Sequence, residues 1–312
     1  MMITAILALA LTMTAEQATR SNTQGFPVRN GITYLEQPVD IDGSIYSSAW
    51  PSLAGFVAQL QRGDRSGVKA ALRDLVARGK ADDGALNLLA QIERHDGDLD
   101  IALHRIEGAI KTAPRQHLHY FQEGLICFQL REKASSGPDR WKWHSRTQEA
   151  YEKALELEPK GVYYRYYVAY SYLSTPAAVG GDKQKALKLA QEGIDSGHDA
   201  FYVIRADVYR SLGRLTEAYS DYDRSLQHRF FKTNSFLGAL HSVLEQKALT
   251  RAKNYCAYLV AAVPDEARAH EACGDYLSAI GDIDKAIQAY RTALQKDPNL
   301  ATAAEKLSRL KK

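Results

Sequence analysis

At 312 residues, with 45% hydrophobic and 25% charged side chains, the chain has ample apolar material for a continuous core and the composition of a soluble protein. Its formal net charge of +3 arises from 40 basic and 37 acidic residues spread along the sequence, which argues against nucleic acid or an anionic membrane as the main partner. Beyond residue 14 no stretch approaches the roughly 20 apolar residues of a membrane helix, so no membrane span is expected.

Residues 1–14, MMITAILALALTMT, are an apolar run followed by small residues, with Ala15 or Ala18 able to end a cleaved part. Residues 1–18 are therefore expected to be a signal peptide, giving a periplasmic or secreted protein; a short cytoplasmic leader is the alternative. Residues 19–48 contain Gly25, Pro27, Gly31, Pro38 and Gly43 without helical periodicity and read as a linker or N-terminal arm. The arm's apolar islands, at 32–35 and 45–46, could lie in a groove formed by the rest of the chain or equally be disordered.

From Ala49 onward one pattern recurs. The cleanest unit begins at Ala267 and places Gly274, Gly281, Ala286, Tyr290, Ala293 and Pro298 in order. Two helices joined by a tight turn approach closely only where facing positions are small, here Gly274 and Ala286. Gly281 supplies the permissive turn backbone and Pro298 stops the second helix. Units starting at Asp199, Thr233 and Ala267 lie 34 residues apart, as do the turn glycines Gly63 and Gly97. The unit from Asp83 repeats the pattern through Ala90, Gly97, Ala102, Ile106, Ala109 and Pro114; that from Ala49 is degenerate, as terminal units commonly are.

Two units carry insertions. After Gly124 the series resumes at Thr147, Tyr151, Ala154 and Pro159, so 11 residues are added between the helices. Pro138-Asp139 reads as a helix start with Asp139 as N-cap, and the second helix is expected to gain turns. Between Ala169 and Ala186 five residues are added, where Gly180-Gly181 allow a sharp reversal and Asp182 can cap the next helix. The stretch ATAAEKLSRLKK is an amphipathic helix that caps the stack through Ala303, Leu307 and Leu310.

Gly274, Gly281, Ala286, Tyr290, Ala293 and Pro298, at their spacing, resemble the tetratricopeptide repeat. The resemblance implies an all-α fold over residues 49–312: a right-handed superhelix of about seven helix pairs with a C-terminal capping helix. It also implies that first helices line an inner groove that holds an extended peptide or partner protein. Carried over residue by residue, the groove positions include Asn87 and Gln91, then Phe121 and Phe128, then Tyr166 and Tyr170, then Asp207 and Arg210, then His241, then Glu271 and Asp275. Tyr163 extends the aromatic middle, and Asp207, Arg210 and His241 are expected to orient the partner by hydrogen bonds. The Lys and Asn of the family's carboxylate clamp are missing: Val203/Asp207 or Leu237/His241 stand there.

The segment GVYYRYYVAYSYL holds six Tyr in 13 residues. Tyr164, Tyr167 and Tyr172 are expected to face neighbouring helices, while Tyr163, Tyr166 and Tyr170 form a stripe that either binds a partner or closes the groove against the N-terminal arm. In the basic aromatic run Arg140 to Arg146, Trp143 continues the core stripe and Trp141 is left as an exposed anchor for a protein partner. The turn PAAVGGDKQKA resembles that of repeat proteins like the T component of tripartite periplasmic transporters. It suggests a second reading, a small-ligand-binding accessory subunit of a periplasmic transport or envelope system. Cys127, Cys256 and Cys273 read as small buried residues, although Cys256 and Cys273 fall on adjacent helices and could approach. No metal-ligand spacing, nucleophile elbow or phosphate loop is present, so no cofactor, metal or catalytic residue is expected and the leading reading is a non-catalytic scaffold.

Overall fold

The computed structural model describes residues 28–29, 32–35, 41 and 43–310; the expected signal peptide at 1–18 lies outside them. The described residues fall into two compact units, one within 38–193 and one comprising 194 onward together with residues 28–35.

The first unit contains α1 (Gly43–Ala49), a 3-10 turn (Pro51–Leu53), α2 (Ala54–Gln61), α3 (Arg65–Ala77), α4 (Asp83–His95), α5 (Leu99–Thr112), α6 (His117–Lys133), α7 (Gly137–Leu157), α8 (Val162–Ser174) and α9 (Lys183–Asp195). The second contains α10 (Phe201–Ser211), α11 (Leu215–Gln227), α12 (Thr233–Glu245), α13 (Leu249–Ala262), α14 (Ala267–Ala279), α15 (Ile283–Lys296) and α16 (Ala301–Leu310). From α2/α3 to α14/α15 the helices form seven consecutive pairs, with α16 as terminal helix, which is the all-α solenoid of paired helices that the repeat pattern predicts.

The repeat is written in the backbone. Asp64, Asp98, Arg214, Ala248 and Asp282 each donate an N–H to the carbonyl five residues back, at 2.8 to 3.0 Å. The residue before each is left-handed: Gly63, Gly97, Gly213 and Gly281, with Lys247 at φ 56° as the non-glycine member. This bond closes the carbonyls that a helix end otherwise leaves unpaired, and the left-handed residue is what turns the chain into the second helix of the pair.

In the first unit one core cluster joins α1 to α4 with α6 to α8, where Tyr46, Trp50, Leu53 and Leu72 pack with Leu88, Leu89, Phe121, Leu125, Tyr151 and Tyr164, and a second holds Ala102, Leu103 and Ile106 of α5 against Ala90 and Ile126. In the second, Tyr222, Phe231, Phe236, Tyr255 and Leu259 form the centre, and Leu307 of α16 closes the stack on Ala286 and Tyr290.

Within residues 19–48, expected to be a linker or N-terminal arm, the described segments 28–29, 32–34 and 43–48 carry secondary structure. Strand β1 (Val28–Arg29) pairs antiparallel with β2 (Ile32–Tyr34), which runs parallel to β3 (Phe230–Phe231) between α11 and α12. Leu35 N–H donates to the Phe231 carbonyl at 2.8 Å, so the arm satisfies backbone groups that an interhelical link would leave open. Farther along, α1 buries Tyr46 in the first unit.

Two local expectations are corrected. Ser136, not Asp139, caps α7: its oxygen accepts from Asp139 N–H at 3.1 Å and its hydroxyl donates to the Asp139 carboxylate at 2.6 Å. Both residues are good caps, and Ser136 wins because Asp139 then sits where it answers the first turn's exposed N–H groups. Cys256 and Cys273, read as small buried side chains, are joined as a disulfide with Cα atoms 5.1 Å apart, because α13 and α14 pack side by side at that point. Cys127 remains a buried free thiol.

Candidate functional site

The 11 inserted residues are absorbed entirely as helix. Helix α6 has 17 residues against 13 in α4, and α7 has 21 against 14 in α5. These added turns carry Arg131, Arg140 and Trp141. With the end of α8 and the turn after it they enclose a pocket of about 610 Å³, lined by Arg131, Glu132, Gly137, Arg140, Trp141 and His144 on one side and Tyr170, Ser174, Thr175 and Pro176 on the other.

The polar groups of this pocket are fixed in distinct ways. Arg131 lies over the Phe128 ring, 4.4 Å from its centroid, and pairs with the Glu132 carboxylate at 2.8 Å. It also faces His144 Nδ1 at 3.4 Å; a guanidinium can only donate, so Nδ1 accepts and the imidazole proton sits on Nε2. Nε2–H then meets Thr175 Oγ1 at 2.6 Å, and that hydroxyl donates to the Ser171 carbonyl at 2.7 Å. Burial and the neighbouring Arg131 push the His144 pKa below its ordinary value, consistent with a neutral ring. With both nitrogens engaged, His144 is a wall of the pocket rather than a base. Trp141, its ring edge-on to His144 at 5.1 Å, is 36% exposed. Among the described residues the Arg140 side chain bonds the Ala134 carbonyl alone, through Nε at 2.9 Å.

Of the residues expected to bind a partner, Trp141 and Tyr170 come together here, and Phe128 supports the pocket from beneath Arg131. Others are placed elsewhere than expected. Phe121 is 3% exposed, its ring 5.1 to 6.3 Å from those of Tyr151, Tyr163, Tyr164 and Tyr167, and Tyr166 is 1% exposed. Neither lies on the open face that the repeat register assigns to it: Phe121 is surrounded by rings from α7 and α8, a burial that large aromatic surfaces favour, and Tyr166 stands edge-on to Tyr167 at 5.6 Å. Tyr163 and Tyr170 are half-buried.

In the second unit Asp207 is also withdrawn from any partner. It accepts from Tyr222 at 2.6 Å, from Ser235 at 2.5 Å and from Arg210 at 3.4 Å, and Arg210 Nε donates to the Tyr222 hydroxyl. A buried carboxylate requires such donors, so these groove positions serve the stack itself. His241 is exposed. The same holds at other groove positions: the Tyr46 hydroxyl donates to Asn87 at 2.6 Å and approaches Gln91 at 3.2 Å, and Lys306 of α16 bonds Glu271 and Asp275 at 2.9 and 2.7 Å. Arg131, His144 and Thr175 carried no sequence signal as a group, because an added helical turn brings them together across α6, α7 and α8.

Among the described residues no group of three or more His, Cys, Asp or Glu could hold a metal ion, and no helix is long and apolar enough to cross a membrane.

Comparison with known proteins agrees with this architecture. Residues 241–301 match the tetratricopeptide repeat family model. Among solved structures, the chain is similar to a tetratricopeptide repeat protein from Parabacteroides merdae, at 13% identity and TM-score 0.60, over 86% of this chain and 99% of that one. It is similar to PilW, a type IV pilus biogenesis factor, at 16% identity and TM-score 0.56, over 72% and 98%. It is also similar to the anaphase-promoting complex assembly Cut9–Hcn1, at 12% identity and TM-score 0.61, covering 87% of this chain but only 49% of that one. At these identities the likeness is one of fold. No curated protein matches the chain in sequence.

Proposed function

We propose, from the premise that this chain is a tetratricopeptide-repeat protein, that it is a non-catalytic scaffold holding a protein or extended peptide. The observation that carries the reading is the pocket built by the lengthened α6 and α7. It presents an exposed indole and an exposed guanidinium on rigid helices, a combination suited to gripping a peptide side chain and not to moving a proton. The pocket's one imidazole has both nitrogens bound, so it is not free to act as a general base.

Of the groove positions that first suggested peptide binding, Tyr170 supports this reading, together with Trp141 on the lengthened α7. A periplasmic or secreted location is part of the proposal, supported by the Cys256–Cys273 disulfide, which persists in oxidising compartments. The test is recovery of bound proteins from cell extract by the full chain and by a Trp141→Ala/Tyr170→Ala variant of equal thermal stability. Loss of a specific partner from the variant is expected; identical recovery removes the pocket from the function.

A further inference from the structure

We infer that the pocket takes a carboxylate, received end-on by the two terminal nitrogens of Arg140, while the apolar part of the same peptide lies on Trp141. This rests on the peptide-binding reading above and specifies its chemistry. Of the two guanidinium groups in the pocket, that of Arg131 is consumed by Glu132, His144 and the Phe128 ring. Arg140 differs. Its Nε is anchored to the Ala134 carbonyl at 2.9 Å, which orients the guanidinium, and among the described residues Arg140 makes no ion pair. One N–H from each terminal nitrogen is therefore left to form the planar two-donor fork that matches a carboxylate.

Charge decides between anions. The lining contains two cations, Arg131 and Arg140, and one anion, Glu132, with His144 held neutral. One positive charge is left over, which suits a monoanion better than a phosphate dianion. Asp139, next to Arg140 in the chain, does not line the pocket and accepts the Ser136 hydroxyl at the helix start. Beside the fork stands the 36% exposed indole, so a carboxylate flanked by an aliphatic or aromatic group fits best. The site lies on the inserted turns and uses neither the Lys nor the Asn positions of the family's clamp. The carboxylate can come from an acidic side chain or from a peptide's C-terminus.

The experiment is selection of random dodecapeptides on the immobilised full chain, in one library with free C-termini and one with the peptide internal to a carrier. Enrichment of Asp or Glu next to an apolar residue in both libraries identifies a side chain; enrichment confined to free C-termini identifies the terminus. The best peptide, synthesised, is expected to lose about tenfold in affinity on Glu→Gln exchange or C-terminal amidation, and as much with Arg140→Gln, while Lys80→Gln, at an exposed position between α3 and α4 outside the pocket lining, changes nothing. Peptides that need Trp141 but carry no acidic requirement and ignore Arg140→Gln overturn the carboxylate and leave the peptide reading intact. Peptides indifferent to Trp141→Ala, or no enrichment in either library, overturn both.

Discussion

Tyr290 occupies the space that a side chain at position 274 would need: a Cβ built on Gly274 would lie 2.5 Å from Tyr290 Cε1 and 2.7 Å from Cδ1. Gly124 and Tyr151 stand in the same relation in the first unit. The small residue of the first helix is thus a seat for the ring of the second, whose hydroxyl reaches Asp275 at 2.8 Å. Gly274→Ala is expected to destabilise by about 1–3 kcal/mol, although alanine is the better helix former. Chemical denaturation checks this, together with Tyr290→Leu as the second arm of a double-mutant cycle. If the alanine costs as much in the Tyr290→Leu background as in the parent, the ring is not what the glycine accommodates.

Lys247 sits on the same grid as Gly213 and Gly281 and adopts the left-handed backbone that they adopt without strain. An L side chain there costs about 1–2 kcal/mol, and glycine in its place adds back some unfolded-chain entropy. Lys247→Gly is therefore expected to stabilise by about 0.5–1 kcal/mol, read as a rise in denaturation midpoint with unchanged slope. A lowered midpoint would mean that the lysine side chain contributes more than its backbone costs.

These two positions also show what the sequence could and could not carry. The helix pairs were legible because Gly63, Gly97, Gly213 and Gly281 answer a local demand, a left-handed turn, that recurs at a constant interval. Lys247 broke the signature while keeping the conformation, since neighbouring hydrogen bonds enforce it. The fates of Phe121, Tyr166 and Asp207 were not legible: which side of a first helix is open depends on how closely the next one approaches, and that is set by packing distributed over many residues. The pocket was half visible, in the basic aromatic run around Trp141, but Arg131 and Thr175 join it only through the added helical turns. The strand pairing of residues 32–34 with Phe230–Phe231 is a contact between distant segments and leaves no local trace.

The Tyr46 hydroxyl donates to Asn87 Oδ1 at 2.6 Å in a fully buried setting, while Asn87 Nδ2 faces His119 Nδ1 at 2.8 Å. Tyr46→Phe leaves a buried amide oxygen without its donor at almost constant volume. A loss of about 1–3 kcal/mol is expected. Unchanged stability by urea unfolding would show that water replaces the phenol and that the α1 segment is held by apolar packing alone.

The Cys256–Cys273 bond ties α13 to α14 across a sequence separation of 17 residues. Closing a loop of that length in the unfolded chain is worth about 3 kcal/mol on the chain-entropy view. Cys256→Ser/Cys273→Ser should lower stability by that order, and reductant should lower the parent to the same level while leaving the variant unmoved. Insensitivity of the parent to reductant would contradict a bond that supports the second unit.

Acid should weaken the first unit through three histidines. His117, His119 and His144 all have pKa values lowered from the ordinary 6.5, in each case chiefly by burial; Asp83 opposes this for His119, and Arg131 reinforces it for His144. A base whose folded pKa lies below its unfolded one contributes no penalty above the unfolded value. As pH falls through that value the unfolded chain binds protons that the folded one resists, so stability declines. Asp96, held low first by Lys69 and also by Arg65, adds a loss only at more acidic pH, below the ordinary carboxylate value of 3.8. Glu123 works the other way, its pKa raised by burial against Arg146, but in the carboxylate range near 4.5 and upward. The histidine effect should therefore dominate as pH falls from about 7.5 to about 6. Thermal unfolding across that interval is expected to show a falling midpoint with net proton uptake, measured by calorimetry in buffers of different ionisation enthalpy; proton release on unfolding near the lower end would mean that these imidazoles are charged in the fold.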